Sequence, residues 1–210
     1  MKIIALSGYA GAGKDTVATL IQERLGPTSA RYAFADPLRR EVATAFGVHQ
    51  QILTDPVLKN RPTRALALQF CSDPAFVAVF KRRLPDAGSW RDLFPRSPRE
   101  IMQCWGTDYR RAQRDNYWLE AADRYAFAAR ASRCNAMIIT DCRFGNEALW
   151  VRGEAGSVWR INRPGTGPIN KHRSETHLDQ WPFDQVIVND GDLELLRKKV
   201  ADLLTAREAA

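Results

Sequence analysis

The chain has 210 residues, of which 45% are hydrophobic and 26% are charged, and its formal net charge is +7 at neutral pH. A chain of this length and composition can bury a sizeable core, as expected of a folded globular protein. No apolar run approaches the roughly 20 residues that span a bilayer, and the apolar stretch at the amino terminus is too short for a signal peptide. The cysteines lack metal-binding spacing, so we expect a cytoplasmic protein with reduced thiols and no zinc site.

The positive charge is concentrated in the middle of the chain. Residues 59–114 contain 12 basic and 5 acidic residues, so this segment alone accounts for the net charge of +7. A basic segment attracts phosphate-bearing partners, either free nucleotides or a nucleic acid backbone. A solvated basic surface without a partner is the alternative interpretation.

The first predicted elements are a strand, a helix and a second strand. The apolar run Ile3–Leu6 is followed by a glycine loop, which is typical of a buried parallel strand. A helix is predicted over Lys14–Leu25, where apolar residues recur at helical spacing. Arg31–Phe34 predicts a second short strand, and Asp36 is predicted to cap a helix that ends near Phe46.

The second half of the chain predicts an alternation of strands and helices. Residues 48–96 contain five prolines and are predicted to form an insertion of small helices and loops. Ser97 is predicted to cap a helix with Pro98 at its first position, and another helix is predicted over residues 116–131. Further strands are predicted at residues 136–140, 157–161 and 185–188. A closing helix carries apolar residues that should pack on the sheet, namely Leu193, Leu196, Val200, Leu203 and Leu204. This alternation predicts a three-layer α/β fold with a mostly parallel sheet.

The segment between the first strand and the first helix predicts a phosphate-binding loop. Its sequence is Gly8-Tyr9-Ala10-Gly11-Ala12-Gly13-Lys14-Asp15. Glycines let successive backbone N–H groups turn toward phosphate oxygens, and the helix amino terminus adds the positive end of its dipole. Lys14 would place its charge on the β- and γ-phosphates. The general motif has Ser or Thr after the lysine as a magnesium ligand, so here either Asp15 or the following Thr16 could hold Mg²⁺.

A phosphate loop by itself indicates nucleotide binding, since switches, motors and kinases share it. The carboxy-terminal third lacks the Asn/Thr-Lys-x-Asp pattern that confers guanine specificity. This absence disfavours a GTPase.

The helix predicted from Pro98 carries a polar stripe. At 100° per residue, four side chains fall within about 60° of one another. They are Arg99, Gln103, Gly106 and Arg110. Guanidinium groups bind phosphate in a bidentate manner, an amide can hydrogen-bond to a base edge, and the glycine would let a ring or sugar approach the backbone. An ordinary solvated polar face is the alternative, although a glycine inside a helix costs roughly 1 kcal/mol.

Several polar residues follow the later strands. Asp141 stands at the end of an apolar strand, where parallel sheets bind ligands, and it could hold magnesium. Arg143 could contact the transferring phosphoryl group, although an Asp–Arg ion pair would equally explain both residues. Arg163 lies in the turn after a predicted strand. It is either a lid arginine that contacts phosphate or an ordinary charged residue of a loop. Arg173 belongs to the block His172–Glu175, which is either a mobile lid or a structural turn.

Ordered blocks through most of the chain resemble the phage-type deoxynucleoside monophosphate (dNMP) kinases, a branch of the P-loop kinase fold. The blocks are residues 7–16, 34–39, 98–108, 117–118, 141–147, 163–165, 172–175 and 188–191. The Gly-Lys-Asp form of the loop is also what that family has. The resemblance implies a single P-loop kinase domain over residues 1–210, with a five-stranded sheet and with residues 48–115 as a helical dNMP-binding or lid-like insertion.

The resemblance also implies an activity and a set of site residues. The expected reaction is ATP-dependent phosphorylation of dNMPs with Mg²⁺, in which Lys14, Asp141 and Arg143 are catalytic. The expected ATP-binding residues are Gly8, Ala10, Gly11, Ala12, Gly13, Lys14, Asp15, Thr16 and Asn189, the last in a turn that commonly borders the adenine. The expected metal ligands are Asp15, Thr16 and Asp141. The expected acceptor-binding residues are Asp36, Arg39, Arg99, Gln103, Gly106, Arg110 and Trp118. Arg163 and Arg173 are expected in a lid.

The resemblance suggests a homodimer and predicts neither membrane association nor stable nucleic-acid binding. Two alternatives stay open on the sequence. One is a P-loop kinase that acts on modified bases in polymeric DNA. The other is a nucleotide-gated protein whose ATP cycle controls its association with nucleic acid.

Overall fold

The protein is described by a computed structural model that covers residues 1–84, 92–170 and 172–208. The chain forms two compact units, one made of Met1–Phe34 with Leu119–Ala210 and the other of Ala35–Trp118. The predicted insertion at residues 48–115 lies within the second unit, which also contains the helix before it.

The first unit contains a five-stranded parallel sheet. Its strands are β1 (Lys2–Ser7), β2 (Ser29–Tyr32), β3 (Ala136–Ile139), β4 (Ser157–Asn162) and β5 (Gln185–Val188). The strand order is β2-β3-β1-β4-β5, with every neighbouring pair parallel. The predicted α/β class and the parallel sheet are therefore confirmed. The central position of β1 puts the loop that follows it at the carboxyl edge of the sheet, where ligands bind in such folds.

The helices, in chain order, are α1 (Lys14–Leu25), α2 (Ala35–Phe46), α3 (Gln51–Thr54), α4 (Pro74–Lys81), α5 (Pro98–Gln103), α6 (Tyr117–Ala131), α7 (Gly145–Gly153), α8 (Arg173–Thr176) and α9 (Leu193–Glu208). Short 3₁₀ turns cover Arg64–Leu66 and Leu68–Phe70. None of the helices in the described part of the chain is long and apolar enough to cross a membrane.

Helices pack on both faces of the sheet in the first unit. On one face, α1 and α9 bury Val17, Ile21 and Val200 against the side chains of Leu6 and Trp159. On the other face, α7 contacts β1 and β4. Because successive side chains of a strand point to opposite faces, β1 contributes to the apolar contacts on both sides of the sheet. The sheet with helices on its two faces makes up the three predicted layers.

Three local predictions differ from the structure. The second strand is Ser29–Tyr32 rather than residues 31–34. Helix α2 begins at Ala35, so Asp36 lies in its first turn instead of capping it, and its carboxylate pairs with Arg39 at 2.7 Å. In α9, Leu196, Val200 and Leu204 are buried, but Leu193, the first residue of the helix, is 50% exposed.

The second unit is held together by aromatic side chains. The ring of Phe76 on α4 lies 4.4 Å from that of Trp105 and within 6.2 Å of those of Phe46, Phe80 and Tyr109. Such tilted and edge-on contacts add to the apolar area that the rings bury. This cluster fixes α4 against the segment that follows α5.

The helix predicted from Pro98 changes type after six residues. Ser97 caps α5, since its hydroxyl accepts a hydrogen bond from the Glu100 backbone at 3.2 Å, as predicted. Residues Cys104–Arg111 then form a π-helical segment, in which the backbone closes i→i+5 hydrogen bonds. The predicted stripe assumed 100° per residue throughout, so it does not describe the side chains beyond Gln103.

Candidate active site

The loop after β1 has the backbone geometry of a phosphate cradle. Gly8, Gly11 and Gly13 adopt φ angles of 149°, 79° and 98°, which side chains rarely tolerate. A Cβ atom on Gly8 would lie 2.5 Å from the carbonyl oxygen of Ile161, and one on Gly13 would lie 2.5 Å from Nδ2 of Asn189. Glycine is therefore required at both positions for conformation and for space.

Lys14 is the first residue of α1, and its side chain folds over the loop. Its Nζ donates hydrogen bonds to the carbonyl oxygens of Gly8 at 2.7 Å and Tyr9 at 2.8 Å. The amino terminus of α1 adds partial positive charge at the same place. The predicted combination of loop, helix end and lysine is thus assembled within one unit.

Asn189 supports this loop from the turn after β5. Its side-chain amide donates to the carbonyl oxygen of Ala12 at 3.0 Å, while its backbone N–H bonds to Asn162 at 2.7 Å. The sequence predicted that Asn189 borders the adenine, and that contact stays a prediction. The observed bonds show that the residue fixes the loop.

Arg160 is a loop-supporting residue that the sequence did not single out. Its guanidinium lies 4.6 Å from the Tyr9 ring centroid and 3.3 Å from the carboxylate of Asp179. Burial, together with the hydrogen bond that the Tyr9 hydroxyl donates to Asp179, raises the pKa of Tyr9. Arg160 had no distinguishing signal, because an arginine in a strand usually indicates an exposed edge and its partners lie far along the chain.

The two candidate metal ligands after Lys14 are solvent-exposed. The Asp15 carboxylate lies 2.9 Å from Nη2 of Arg31, and its side chain is 88% exposed. Thr16 is also exposed. Arg31 is thus a further neighbour of the site that sequence reasoning missed, since it had been considered only as a strand residue.

Asp141 lies beside the loop at the carboxyl edge of the sheet. Its Oδ1 accepts a hydrogen bond from the backbone of Phe34 at 2.7 Å, and the next residue, Cys142, bonds to the carbonyl of Leu6 in β1 at 3.0 Å. Asp141 thus follows β3 at the edge of the sheet where the sequence predicted it. Its metal contact stays a prediction.

Arg143 is held by acidic residues in the same unit. Its Nη1 lies 3.2 Å from Glu175, whose side chain is almost fully buried. Its backbone N–H donates to Glu147 at 2.7 Å, and Glu147 also accepts from Phe144 at 3.0 Å. Glu147 is thus a buried helix cap.

The two lid candidates occupy different places. Arg163 lies next to the phosphate loop, since its Nη1 is 3.5 Å from the carbonyl oxygen of Gly11. Arg173 lies in α8, where its guanidinium contacts the imidazole of His177 at 2.9 Å. His172 caps that short helix by accepting a hydrogen bond from Ser174. The local contacts of Arg173 and His172 are those of a capped turn.

The second unit holds each predicted acceptor arginine with a polar partner. Arg39 pairs with Asp36, and Arg99 donates from Nε to Asn60 at 2.8 Å. Arg110 donates from Nε to Glu41 at 2.7 Å. Burial opposes the charge of Arg110, but the hydrogen bond and charge of Glu41 outweigh it and raise the pKa of the guanidinium. The arginines are therefore oriented cations rather than freely rotating surface charges.

Gly106 and Trp118 have packing roles that differ from the prediction. A Cβ on Gly106 would lie 3.2 Å from Leu38, so α2 occupies the space in which a ring or sugar was expected. Trp118 is only 3% exposed, and its indole donates to the carbonyl oxygen of Gly106 at 3.0 Å. Both residues brace the helices of the second unit, so we exclude them from the proposed contacts with the acceptor. Gln103, at the end of α5, stays a predicted contact.

The oxygen ligands available in the first unit suit magnesium. Among the described residues, no group of three or more His, Cys, Asp or Glu side chains is arranged to hold a metal ion. Mg²⁺ usually binds one or two carboxylates together with substrate phosphates and waters, and does not need a cage made wholly of protein. Asp141 with Asp15 or Thr16 is compatible with that mode.

Comparisons with known proteins identify the family of the chain. The model of the deoxynucleotide monophosphate kinase family matches residues 92–200. The deoxynucleotide monophosphate kinase of Enterobacteria phage T4 is 26% identical over 242 residues, covering 97% of this chain and 99% of the relative. That of Escherichia phage RB69 is 25% identical, covering 97% and 100%. A protein of Acanthamoeba polyphaga mimivirus, provisionally named for the same activity, is 27% identical, covering 92% and 91%. The chain belongs to the deoxynucleotide monophosphate kinase family.

Proposed function

We propose that this phosphotransferase moves the γ-phosphoryl group of ATP onto a deoxynucleoside 5′-monophosphate, using the loop of the first unit for the donor and the arginines of the second for the acceptor. The carrying observation is the Lys14 ammonium held inside a glycine loop whose shape tolerates no side chain at Gly8 or Gly13. The family membership supports the class of acceptor.

The donor would be bound mainly by backbone groups. The N–H groups of the loop and the amino terminus of α1 would surround the phosphate oxygens, and Lys14 would exchange its loop carbonyls for the β- and γ-phosphates. Arg163, beside Gly11, is suitably placed to add a further cation. ATP binding thus depends on loop shape more than on side-chain identity.

Magnesium would be held by Asp141 together with Asp15 or Thr16. When bound, the ion neutralises charge on the phosphate oxygens. If Asp15 is the magnesium ligand, its carboxylate must give up its ion pair with Arg31. Breaking that pair costs little free energy because the pair is exposed to solvent. Thr16 would need no such exchange.

The acceptor would be bound by Arg39, Arg99 and Arg110, with Gln103 and Asp36 as further contacts. A guanidinium binds a phosphate through two parallel N–H···O bonds, which gives direction as well as charge. Each of the three arginines already has a partner that limits its rotation. We assign them to the α-phosphate of the dNMP.

The chemical step requires positioning and charge neutralisation more than covalent participation. Phosphoryl transfer passes through a loose transition state in which the attacking and leaving oxygens are nearly in line. Lys14 would stabilise charge on the donor side, and Arg143 would do so on the transferring group. Glu175 and Glu147 fix Arg143 for that role.

The ion pairs of the basic segment favour a mononucleotide acceptor over polymeric DNA. Several of its cations already have carboxylate partners within 4.0 Å. These pairs are Lys81–Asp92, Arg83–Asp108, Arg96–Glu100 and Arg111–Asp115. Paired cations release fewer counterions from nucleic acid than free ones, so we expect no stable DNA binding. A homodimer is our proposal from the family resemblance alone, and sedimentation equilibrium would test it.

A transfer assay distinguishes the proposed function from its rivals. The purified protein is incubated with γ-labelled ATP and Mg²⁺, and with single dNMPs or duplex DNA that contains natural or hydroxymethylated bases. We expect label in deoxynucleoside diphosphates only. Label in the polymer would indicate a DNA-modifying kinase, and label only in free phosphate would contradict the proposal.

A further inference from the structure

We infer that Glu41 is a positioning residue that sets the orientation of Arg110 toward the phosphate of the acceptor. This inference rests on the proposed function, in which Arg110 binds that phosphate. Glu41 lies on α2, inside the second unit, and it belongs to none of the motifs by which the chain resembles the kinase family.

The Glu41 carboxylate accepts three short hydrogen bonds. Its Oε2 receives Nε of Arg110 at 2.7 Å and the indole N–H of Trp105 at 2.8 Å, and its Oε1 receives the hydroxyl of Tyr117 at 2.7 Å. Three donors on one ionised group hold that group in a single orientation, since rotation would break at least one charge-assisted bond. The carboxylate is therefore a fixed reference point for the guanidinium.

Aromatic rings confine the guanidinium from other directions. The central carbon of the Arg110 guanidinium lies 4.5 Å from the ring centroid of Tyr109, 5.2 Å from that of Tyr117 and 5.5 Å from that of Trp105. Two of these rings are those whose polar groups bond to Glu41. Stacking of the guanidinium on ring faces and its bond to the carboxylate thus restrain the same side chain.

The restraint leaves the outer end of the guanidinium available. Arg110 donates its hydrogen bond to Glu41 through Nε. Neither Nη atom is among the buried polar atoms that lack a partner, and the side chain is 21% exposed. With Nε bonded to Glu41 and part of the side chain exposed, we assign the two Nη groups to two oxygens of one phosphate.

Preorganisation gives this arrangement a functional consequence. A free arginine loses rotational freedom when it binds a ligand, whereas Arg110 has already lost it on folding. Removing the restraint should weaken acceptor binding, and the hydrogen bonds that hold Lys14 in the glycine loop involve none of these residues. A purely structural carboxylate would instead affect folding and leave the Michaelis constants unchanged.

The first test replaces Glu41 with glutamine. Glu41→Gln keeps the size of the side chain but removes its charge, and one amide oxygen cannot accept all three bonds. We expect the dNMP KM to rise about 10-fold, the value of one charge-assisted hydrogen bond, with kcat and the ATP KM within about twofold of the parent. The matched control is Glu100→Gln, because Glu100 also pairs with an arginine (Arg96) that stacks on a ring, Phe80. It should not change the dNMP KM.

A double-mutant cycle links the effect to Arg110. Arg110→Lys keeps the charge and removes the planar fork, so it should raise the dNMP KM by itself. Glu41→Gln should then add little in the Arg110→Lys background. If Glu41→Gln does not yield folded protein, Glu41→Asp is measured instead. It keeps the charge but withdraws the oxygens by one methylene group, and the same selective rise is expected.

The outcomes separate the inference from the proposed function. If Arg110→Lys leaves the dNMP KM unchanged, Arg110 does not bind the acceptor, and the function assigned to it is wrong. If Arg110→Lys raises that KM but neither Glu41 variant does, Glu41 is only structural. A Glu41→Gln effect that is equally large in the Arg110→Lys background would also overturn the positioning role.

Discussion

The two units of this kinase differ in the groups that form their candidate sites: mainly backbone groups in the first unit and side chains in the second. In the first unit, the backbone of one short loop forms the candidate phosphate site, and the Lys14 ammonium lies within it. In the second unit, side chains from α2, the π-helical segment and the start of α6 hold one another in place. A backbone site needs correct φ angles, whereas a side-chain site needs correct partners.

This difference predicts how each site responds to mutation. A change in the loop removes the lysine or alters the shape of the cradle around it, so its effect on catalysis should be large. A change of one arginine in the second unit removes one of several oriented cations, so its effect should be smaller and limited to the acceptor. The following experiments test that order.

The largest expected effect is that of removing the loop lysine. Lys14→Ala should lose about 3 kcal/mol or more of transition-state stabilisation, which is more than 100-fold in kcat/KM, by analogy with removing one preorganised electrostatic donor. Single-turnover kinetics with ATP and dNMP measure this loss. Circular dichroism should show an unchanged fold, since Lys14 is not part of the core. Transfer at the parent rate would contradict the proposed mechanism.

A glycine substitution in the loop should act through shape. Gly13→Ala places a Cβ 2.5 Å from the Asn189 amide at a φ of 98°, so we expect a loss of about 2 kcal/mol in unfolding free energy and weaker ATP binding. Urea titration and isothermal calorimetry measure the two effects. Gly153→Ala is the matched control, because a Cβ there meets nothing within 4 Å. Equal results for both variants would show that the loop does not require glycine.

An acceptor arginine should affect one substrate selectively. Arg99→Ala should raise the dNMP KM about 10-fold, with a much smaller change in the ATP KM, because a guanidinium–phosphate pair is a charge-assisted contact. Steady-state kinetics with each substrate varied in turn check this. Arg61→Ala, at an exposed arginine of the same basic segment, should leave both constants unchanged. Equal increases in both KM values for Arg99→Ala would contradict the acceptor assignment.

The smallest expected effect concerns the buried tryptophan of the second unit. Trp118→Phe removes the hydrogen bond to Gly106, so the unfolding free energy should fall by about 1 kcal/mol while the dNMP KM stays unchanged. Thermal unfolding and kinetics on the same preparation measure both quantities. A raised dNMP KM at unchanged stability would restore Trp118 to the acceptor site and refute the packing role.

Local sequence was a good guide where the chain makes a feature from neighbouring residues. The phosphate loop, the cap at Ser97 and the parallel strands each depend on contacts within a few residues or on simple periodicity. The polar stripe from Arg99 to Arg110 was predicted with the α-helical period of 100° per residue. The π-helical segment Cys104–Arg111 has a different period, so the prediction fails there. Such a change of helix type has no reliable local signal, because it depends on how the segment packs.

The sequence by itself therefore determined the fold class, the glycine loop with its lysine and the presence of a family-like set of arginines. The tertiary structure decided which groups hold them: Glu41 for Arg110, Asn60 for Arg99 and Asn189 for the loop. It also assigned Gly106 and Trp118 to packing. The physical reason is the range of the interactions. Dihedral preferences and periodicity act along the chain, whereas a hydrogen bond between residues 69 or 177 positions apart exists only once the chain has folded.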